Sequence, residues 1–233
     1  MLDDDNDSRE NEAGEEGDGR RWRRRAEARP GEILEAAMDM FVERGFAATR
    51  MEEIARRAGV TKGTVYLYFP SKEALFKAAV ENNILPILEE RERLAAEWNG
   101  SSADLLAASI RRWWEVMGTT RLRCVPRLMA GEAANFPELA SFYMEHVVYR
   151  SRRIFESVLH RGIASGEFRP ELDVPTAGRV LQGPLLYLAT HMQSLQRFDA
   201  QPLDTEVFLE VTIDIFLRGI AANGDRDGSD AQG

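Results

Sequence analysis

The sequence predicts an all-α protein in which a small N-terminal helical domain precedes a larger helical domain. Apolar residues recur at spacings of three and four through most of the 233 residues, whereas strand-like alternation is nearly absent. Glycine, proline and short polar clusters divide the chain into nine helical segments. The composition agrees with a folded chain, because 44% of the residues are hydrophobic and 30% are charged.

The first two helices are predicted from the residues at their ends. Pro30 lies near the first position of a helix that covers Glu32 to Arg44, and Gly45 ends it. Thr49-Arg50-Met51-Glu52 has the pattern of a capping box, in which the threonine hydroxyl and the glutamate carboxylate satisfy free backbone amides. A short second helix is therefore expected to begin at this box and to end at Gly59.

A third helix follows so closely that the pair has a helix-turn-helix pattern. Gly59 can adopt the left-handed backbone of a sharp turn, and Thr61 is expected to cap a helix that extends to Phe69. Val65 and Phe69 are four residues apart and face inward. In this motif the second helix enters the major groove of DNA, so the outward residues are candidate contacts to bases and phosphates. They are Thr61, Lys62, Gly63, Thr64, Tyr66 and Tyr68.

The chain after this motif is also predicted to be helical. Ser71 can cap a long fourth helix that runs toward Trp98 and joins a first domain, residues 29–80, to a second domain, residues 81–222. Residues 223–233 are small and polar, and we expect a disordered tail there. The remaining helices are expected near residues 103–118, 121–135, 137–165, 175–196 and 205–222.

Charge is distributed unevenly along the chain. Of the net charge of −9, residues 1–19 contribute −8, from nine acidic residues against one arginine. Residues 20–80 carry thirteen Lys or Arg against eight Asp or Glu, a balance of +5. We expect residues 1–28 to form a disordered acidic and then arginine-rich arm. The arginines form either a solvated linker or an element that binds phosphates or a minor groove, with Trp22 as a stacking group.

Several classes of protein are excluded. Cys124 is the single cysteine, so no disulfide can form within the chain and a reducing cytoplasm is expected. No apolar stretch approaches the roughly 18 residues of a membrane-spanning helix, which predicts no membrane partner. His146, His160 and His191 lack metal-ligand spacing, and the sequence has no glycine-rich phosphate loop or nucleophile elbow. We therefore expect no enzyme activity, no metal and no cofactor.

Short motifs occur in a fixed order between Pro30 and Val80. They are Gly45-Phe46-Ala47-Ala48-Thr49, Ile54-Ala55, Ala58-Gly59-Val60, Gly63, Tyr66-Leu67-Tyr68-Phe69 and the segment Lys72 to Leu75. Their order and spacing closely resemble the TetR family of bacterial transcription regulators. The resemblance implies DNA binding through a recognition helix that begins at Thr61. It covers this part of the chain, and it says nothing about the N-terminal arm.

The resemblance also implies roles for residues outside the recognition helix. Thr49 and Arg50 would begin the second helix beside the DNA, although a solvated role for Arg50 is the alternative. Tyr68 and Lys72 would contact phosphate, and Lys72 lies in the first turn of a helix, where free amides already favour an anion. For Tyr66 and Tyr68 a plain packing role is the alternative to DNA contact.

For the larger domain the resemblance implies a ligand pocket and a dimer interface made by the last two helices. Soft or aromatic side chains on the predicted helices are pocket candidates, with plain core packing as the alternative. They are Trp113, Trp114, Met117, Phe136, Phe142, Tyr187 and His191, and Met144 and Met192 belong to the same set. A further possibility is an acidic ligand attracted by Arg121, Arg123 and Arg127, against solvated or salt-bridged roles for these arginines.

These observations predict a homodimeric repressor that is released from a pseudo-palindromic, double-stranded DNA operator by a small, largely apolar or aromatic effector. Two subunits are expected because one helix-turn-helix reads a half-site. The fourth helix would connect the effector site to the recognition helix. The alternative is a DNA-bound activator or nucleoid-type interaction protein that needs no ligand, for which an exposed hydrophobic patch without a cavity would be typical.

Overall fold

The structure is a computed structural model that describes residues 30–222. The predicted N-terminal arm, including Trp22, and the predicted tail at 223–233 lie outside the described residues. Within residues 30–222 the regular elements are helices, and the extended pairing is an isolated antiparallel bridge between Phe168 and Ala221. No helix of this range combines the length and the apolar character needed to cross a membrane.

The helices follow one another with short connections. The first, α1, is described at residues 30–44. The others are α2 (Met51–Arg57), α3 (Lys62–Tyr68), α4 (Lys72–Glu97), α5 (Ser102–Met117), α6 (Val125–Glu132), α7 (Pro137–Tyr143), α8 (Tyr149–Ala164), α9 (Val174–Ser194) and α10 (Thr205–Ile220). Short 3-10 turns at Arg121–Cys124 and Gln196–Phe198 precede α6 and follow α9.

The nine predicted helices are confirmed over the described residues, with one refinement. The predicted helix at 137–165 is a continuous run in which a π-helical turn, Met144–Val148, separates α7 from α8. Such a turn inserts a residue into the α-helical hydrogen-bond ladder and is frequent at functional sites. The predicted helix at 175–196 is α9, and Pro184 lies inside it. Pro86 lies inside α4 and removes the backbone donor to the carbonyl of residue 82.

The described residues form two compact units. The first contains residues 30–44 and Ala48–Asn82, and the second contains Gly45–Ala47 and residues 83–222. In the first unit, apolar side chains of α1 to α4 meet in one core, where the rings of Phe41 and Phe76 pack edge to face with centroids 5.4 Å apart. This core holds the short helices α2 and α3, which are too short to be stable alone.

The second unit has its own core, built from one face each of α5, α8, α9 and α10. Its fully buried side chains include Leu106, Ile110, Phe155, Leu159, Leu181 and Leu185. The start of α5 is fixed from a distant part of the chain, because the carboxylate of Glu167 accepts hydrogen bonds from the backbone amides of Ser102 at 2.8 Å and Ala103 at 3.1 Å. These amides would otherwise lack partners within the helix.

Candidate functional site

The turn between α2 and α3 has the geometry that the sequence predicts. Gly59 has φ +66°, in the left-handed region, and Val60 donates its amide to the carbonyl of Ala55 at 2.9 Å. The hydroxyl of Thr61 then accepts the amide of Thr64 at 3.1 Å, so the predicted cap of α3 is confirmed. Val65 is buried, which fixes the inner face of α3 and directs the opposite face to solvent.

The outward face of α3 contains the residues predicted from the sequence and one more. Thr61, Lys62, Gly63, Tyr66 and Tyr68 are exposed, and Thr64 is half-buried, with its hydroxyl 2.9 Å from that of Thr61. Leu67 is 80% exposed and was not among the predicted residues. Its position two residues after Val65 signals this orientation, because two residues on a helix are about 200° apart.

Lys62 has partners within the first unit. Its ammonium lies 2.5 Å from a carboxylate oxygen of Glu52 and 5.7 Å from the ring centroid of Tyr66. The hydrogen bond to Glu52 raises the pKa of Lys62, and the same bond lowers the pKa of Glu52. Both groups are therefore charged near neutral pH. An incoming phosphate would compete with Glu52 for this ammonium.

The capping-box prediction for the start of α2 is wrong. The helix begins at Met51, with Arg50 as an N-cap residue that makes no side-chain capping bond. Thr49 is buried, and its hydroxyl donates to the carbonyl of Met40 at 3.2 Å, so this side chain serves α1 rather than α2. Arg50 is exposed. The ammonium of Lys72 donates to the backbone carbonyl of Thr49 at 3.1 Å.

The second unit contains a cavity of about 330 Å³. Residues of α4, α5, α6, α7, the π-helical turn, α8 and α9 line it, and most of them are apolar. The lining residues are Ile84, Ile87, Leu88, Arg91, Trp113, Val116, Met117, Pro126, Met129, Ala130, Ala133, Ala140, Tyr143, Met144, Val147, Val148, Ser151, Gln182 and Leu186. An apolar cavity of this size with a few polar groups is typical of a small-molecule site.

Two of the seven principal pocket candidates, Trp113 and Met117, line this cavity, and so does Met144. The other candidates do not. Trp114, although in sequence next to Trp113, packs into the core of the second unit, because adjacent residues of a helix point about 100° apart. Phe136 packs edge to face on Phe46 with ring centroids 4.7 Å apart.

The three remaining candidates do not line the cavity. The ring of Phe142 lies 4.5 Å from that of His146. Tyr187 is exposed and stacks on His191 with ring centroids 5.6 Å apart. His191 is buried, and its Nε2 lies 3.0 Å from Asp199 Oδ2, an ion-pair distance without hydrogen-bond geometry. Met192, too, packs against the core instead of lining the cavity.

A buried arginine at the cavity was missed from the sequence. Arg91 follows Ile84 and Leu88 at helical spacing on α4 and is 4% exposed. Its Nη1 donates to the hydroxyl of Ser151 at 3.2 Å, and its guanidinium carbon lies 5.0 Å from the ring centroid of Phe155. The signal in the sequence was an arginine on an apolar face of a helix. Arg121, Arg123 and Arg127 do not line this cavity, and Arg121 donates to Asn83 at 3.1 Å.

A second apolar surface lies between α9 and α10. Leu209, Ile213 and Ile220 of α10 are buried against the unit's own core, while Val207, Val211 and Ile215 form an exposed row at four-residue spacing. A groove lined by this row and by Val180 and Pro184 of α9 follows it. Solvent-exposed apolar side chains in one continuous patch are typical of a surface that binds another protein.

Comparison with known proteins gives matches in both units. Residues 33–79 match the model of bacterial regulatory proteins of the tetR family, and residues 99–207 match that of the tetracyclin repressor-like C-terminal domain. The chain is 31% identical over 156 residues to the HTH-type transcriptional repressor KstR2 of Mycobacterium tuberculosis, an alignment that covers 66% of this chain and 76% of the repressor.

Two further similarities agree with these. The HTH-type transcriptional regulator RutR of Escherichia coli is 54% identical over 55 residues, 24% of this chain and 26% of that protein. The solved complex of SmeT with triclosan has a TM-score of 0.69 and 28% identity and covers 84% of this chain and 93% of that one. SmeT is the repressor of the multidrug efflux pump SmeDEF of Stenotrophomonas maltophilia.

Proposed function

This chain belongs to the tetR family of bacterial regulatory proteins, and from that premise we propose that it represses transcription as a homodimer released from its operator by a small molecule. It is a DNA-binding transcriptional regulator and not an enzyme. The observation that carries the proposal is the helix-turn-helix with an outward face on α3. KstR2 and SmeT are named as repressors, which supports the same direction of regulation here.

The proposed DNA contacts divide by chemistry. The aromatic and hydroxyl groups of Tyr66 and Thr64 are suited to base edges, while Lys62, Tyr68 and Lys72 are suited to phosphates. Gly63 allows close approach of the backbone. The hydroxyl of Thr49 is buried, so we propose that Thr49 contacts DNA through its backbone. Arg50 and the capping residue Thr61 complete the set of proposed contacts. Leu67 adds an exposed apolar group that could pack on a thymine methyl.

The proposed dimer interface is the exposed apolar surface of α9 and α10. A second copy is the expected partner because a pseudo-palindromic operator needs two recognition helices at a fixed spacing. Ile215 is 67% exposed, so replacement by aspartate is compatible with folding and places a charge inside the proposed interface. Ile215→Asp should halve the mass measured by sedimentation. Leu67→Asp, on an exposed site of the first unit, is the control and should stay dimeric.

The cavity supports an effector-controlled repressor over the ligand-independent alternative. It is apolar and of a size that suits a small molecule. The helix α4 has residues in both units, which makes it the proposed connector between effector and DNA. A ligand can move the equilibrium only through its different affinities for the DNA-bound and released arrangements. Ala79→Pro within α4 should therefore weaken induction, and a fully inducible Ala79→Pro protein would contradict this route.

The first experiment is to recover genomic fragments of the source organism on the purified full-length protein and to sequence them. A palindromic consensus that disappears with a Tyr66→Ala protein is the expected result. Diffuse recovery that is lost with increasing salt would contradict sequence-specific repression, because it is the behaviour of phosphate attraction alone. We expect the protein to work in the cytoplasm, because its proposed operator lies on the chromosome.

A further inference from the structure

We propose that the effector carries a carboxylate that binds the Nε and Nη2 edge of Arg91, with its apolar body in the cavity. The inference rests on the proposed function of the cavity and adds the chemical class of its ligand. It starts from the hydrogen bonds of Arg91. Among the described residues, Nη1 has Ser151 as an acceptor, while the buried Nε and Nη2 have no hydrogen-bond partner.

Two other arginines of the second unit show what this edge can bind. Arg111 donates Nε and Nη2 to the two carboxylate oxygens of Glu210, both at 2.8 Å. Arg150 does the same with Glu92, both at 2.7 Å. Two parallel bonds to a planar carboxylate are the strongest arrangement that a guanidinium makes. Arg91 presents the same pair of donors, buried in the wall of a cavity.

In the described part of the chain no carboxylate forms an ion pair with Arg91, although the charge of Glu92 acts on it from a distance. Glu92 is held by Arg150, and the neighbouring Arg112 is paired with Glu90. No Asp or Glu is among the described residues that line the cavity. Burial lowers the pKa of Arg91 to about 10, assisted by the positive charge of Arg112, so the group remains a cation at neutral pH. A buried cation with unused donors favours binding of an anion.

The position of Arg91 also holds the guanidinium in place before a ligand arrives. Phe155 lies against the guanidinium and Ser151 accepts from Nη1, so two contacts fix this side chain in the cavity wall. Tyr143 and Gln182 add polar groups to a wall that is otherwise mainly apolar. Burial raises the pKa of Tyr143, so its phenol stays protonated and can act as a donor. An acid with an apolar body fits these groups better than a neutral apolar molecule.

The test compares matched probes on the full-length protein by calorimetry: hexanoate, octanoate and decanoate against the alcohols of the same chain lengths. The wild type should prefer the acid by about tenfold or more, as expected for charged hydrogen bonds. Arg91→Met should remove that preference. Arg111→Met, which removes an arginine whose edge is already occupied, should retain it. Equal preferences in the wild type and the Arg91→Met protein would overturn the proposal.

A second measurement does not depend on the choice of probe. Without ligand, Arg91→Met should raise the midpoint of thermal unfolding, because methionine keeps an apolar stem and removes unpaired buried donors. A lower midpoint would overturn the proposal, since it would show a guanidinium already satisfied by the protein. Decyl phosphate that binds more tightly than decanoate would overturn the assignment to a carboxylate.

Operator release separates this inference from the proposed function. If carboxylates bind through Arg91 without releasing the operator, the anion site stands and the effector-controlled repressor fails. If neutral alcohols release the operator equally well from the wild type and from Arg91→Met, the repressor stands and the carboxylate inference fails. Release by decanoate from the wild type, with loss of release from Arg91→Met, supports both.

Discussion

Charged groups are arranged differently in the two units of this protein. In the first unit the described ion pairs, such as Lys62 with Glu52 and Arg57 with Glu43, lie at the surface. In the second unit Arg91 is buried with two nitrogens that lack acceptors in the described chain. Exposed ion pairs contribute about 0–1 kcal/mol and are screened by salt, whereas a buried unpaired cation is costly.

The surface ion pairs suit binding of DNA phosphates, whereas the buried cation suits binding of the effector. A surface ion pair can open at little cost, so Lys62 is able to exchange Glu52 for a phosphate, and salt should weaken that binding. A buried cation keeps its attraction for an anion at higher ionic strength, because salt screens buried charges less than exposed ones. The comparison predicts that operator affinity depends strongly on salt and that effector affinity does so weakly.

The largest effect is expected at the exposed face of α3. Tyr66→Ala should lower the affinity for the selected operator by about tenfold to a hundredfold, the usual effect of losing a base contact. Tyr149→Ala is the matched control, because Tyr149 is 44% exposed in the second unit and Tyr66 is 43% exposed. Fluorescence anisotropy with labelled operator measures both. A similar loss in the two variants would break the comparison, since general damage would then explain it.

The next largest effect is on stability. It concerns Glu167, a carboxylate of the second unit whose hydrogen-bond donors are present. Glu167→Gln weakens the acceptor for the first amides of α5 and should lower the free energy of unfolding by about 1–2 kcal/mol. Urea unfolding at neutral pH measures this. Glu171→Gln, at an exposed position nearby, is the control and should be close to neutral.

The same carboxylate gives a pH dependence with a definite sign. Burial raises the pKa of Glu167, but the amides of Ser102 and Ala103 and the hydroxyl of Ser165 outweigh it, and the net pKa is lowered. A lowered pKa means stability that is present above the unfolded value of about 4.3 and is lost as pH falls through the folded value. The difference between wild type and Glu167→Gln should therefore shrink in acid. A constant difference would contradict the role of the charge.

Lys72 tests whether a half-buried cation of the first unit contacts phosphate. Lys72→Ala should weaken binding to every DNA sequence by several-fold and reduce the slope of log affinity against log salt by roughly one. Arg179→Ala is the matched control and should leave the slope unchanged. The guanidinium of Arg179 also donates to a backbone carbonyl, that of Pro175 at 3.1 Å. An unchanged slope in Lys72→Ala would contradict the proposed phosphate contact of its ammonium.

The sequence predicts best those features that depend on residues close together along the chain. The turn at Gly59, the cap at Thr61 and the inward Val65 depend on neighbours within a few residues, so the pattern predicts them. The capping box failed although it is local, because the carbonyl of Met40 in α1 takes the hydroxyl of Thr49. That competing partner is nine residues away, and the box pattern contains no information about it.

The cavity was harder to predict, since its wall is assembled from helices distant in the sequence. Trp113 and Trp114 are adjacent on α5. The rotation of α5 about its axis, relative to the helices packed against it, decides which of the two lines the cavity. The sequence does not indicate that Arg91 is buried, because an arginine on a charged helix is normally solvated. Its burial depends on Ser151 and Phe155, about 60 residues further along the chain.

The smallest effect is expected where the surface pair of α2 and α3 competes with DNA. Glu52→Gln releases Lys62 and removes a negative charge beside the recognition helix, so operator affinity should rise by about two- to fivefold. Glu81→Gln, which removes an equal charge at an exposed position of α4, separates this local effect from net charge. The gain should fade at high salt, because screening weakens the attraction that it strengthens. A loss of affinity in Glu52→Gln would mean that the pair positions Lys62 for DNA, and surface ion pairs of the first unit would then be fixed elements of the interface.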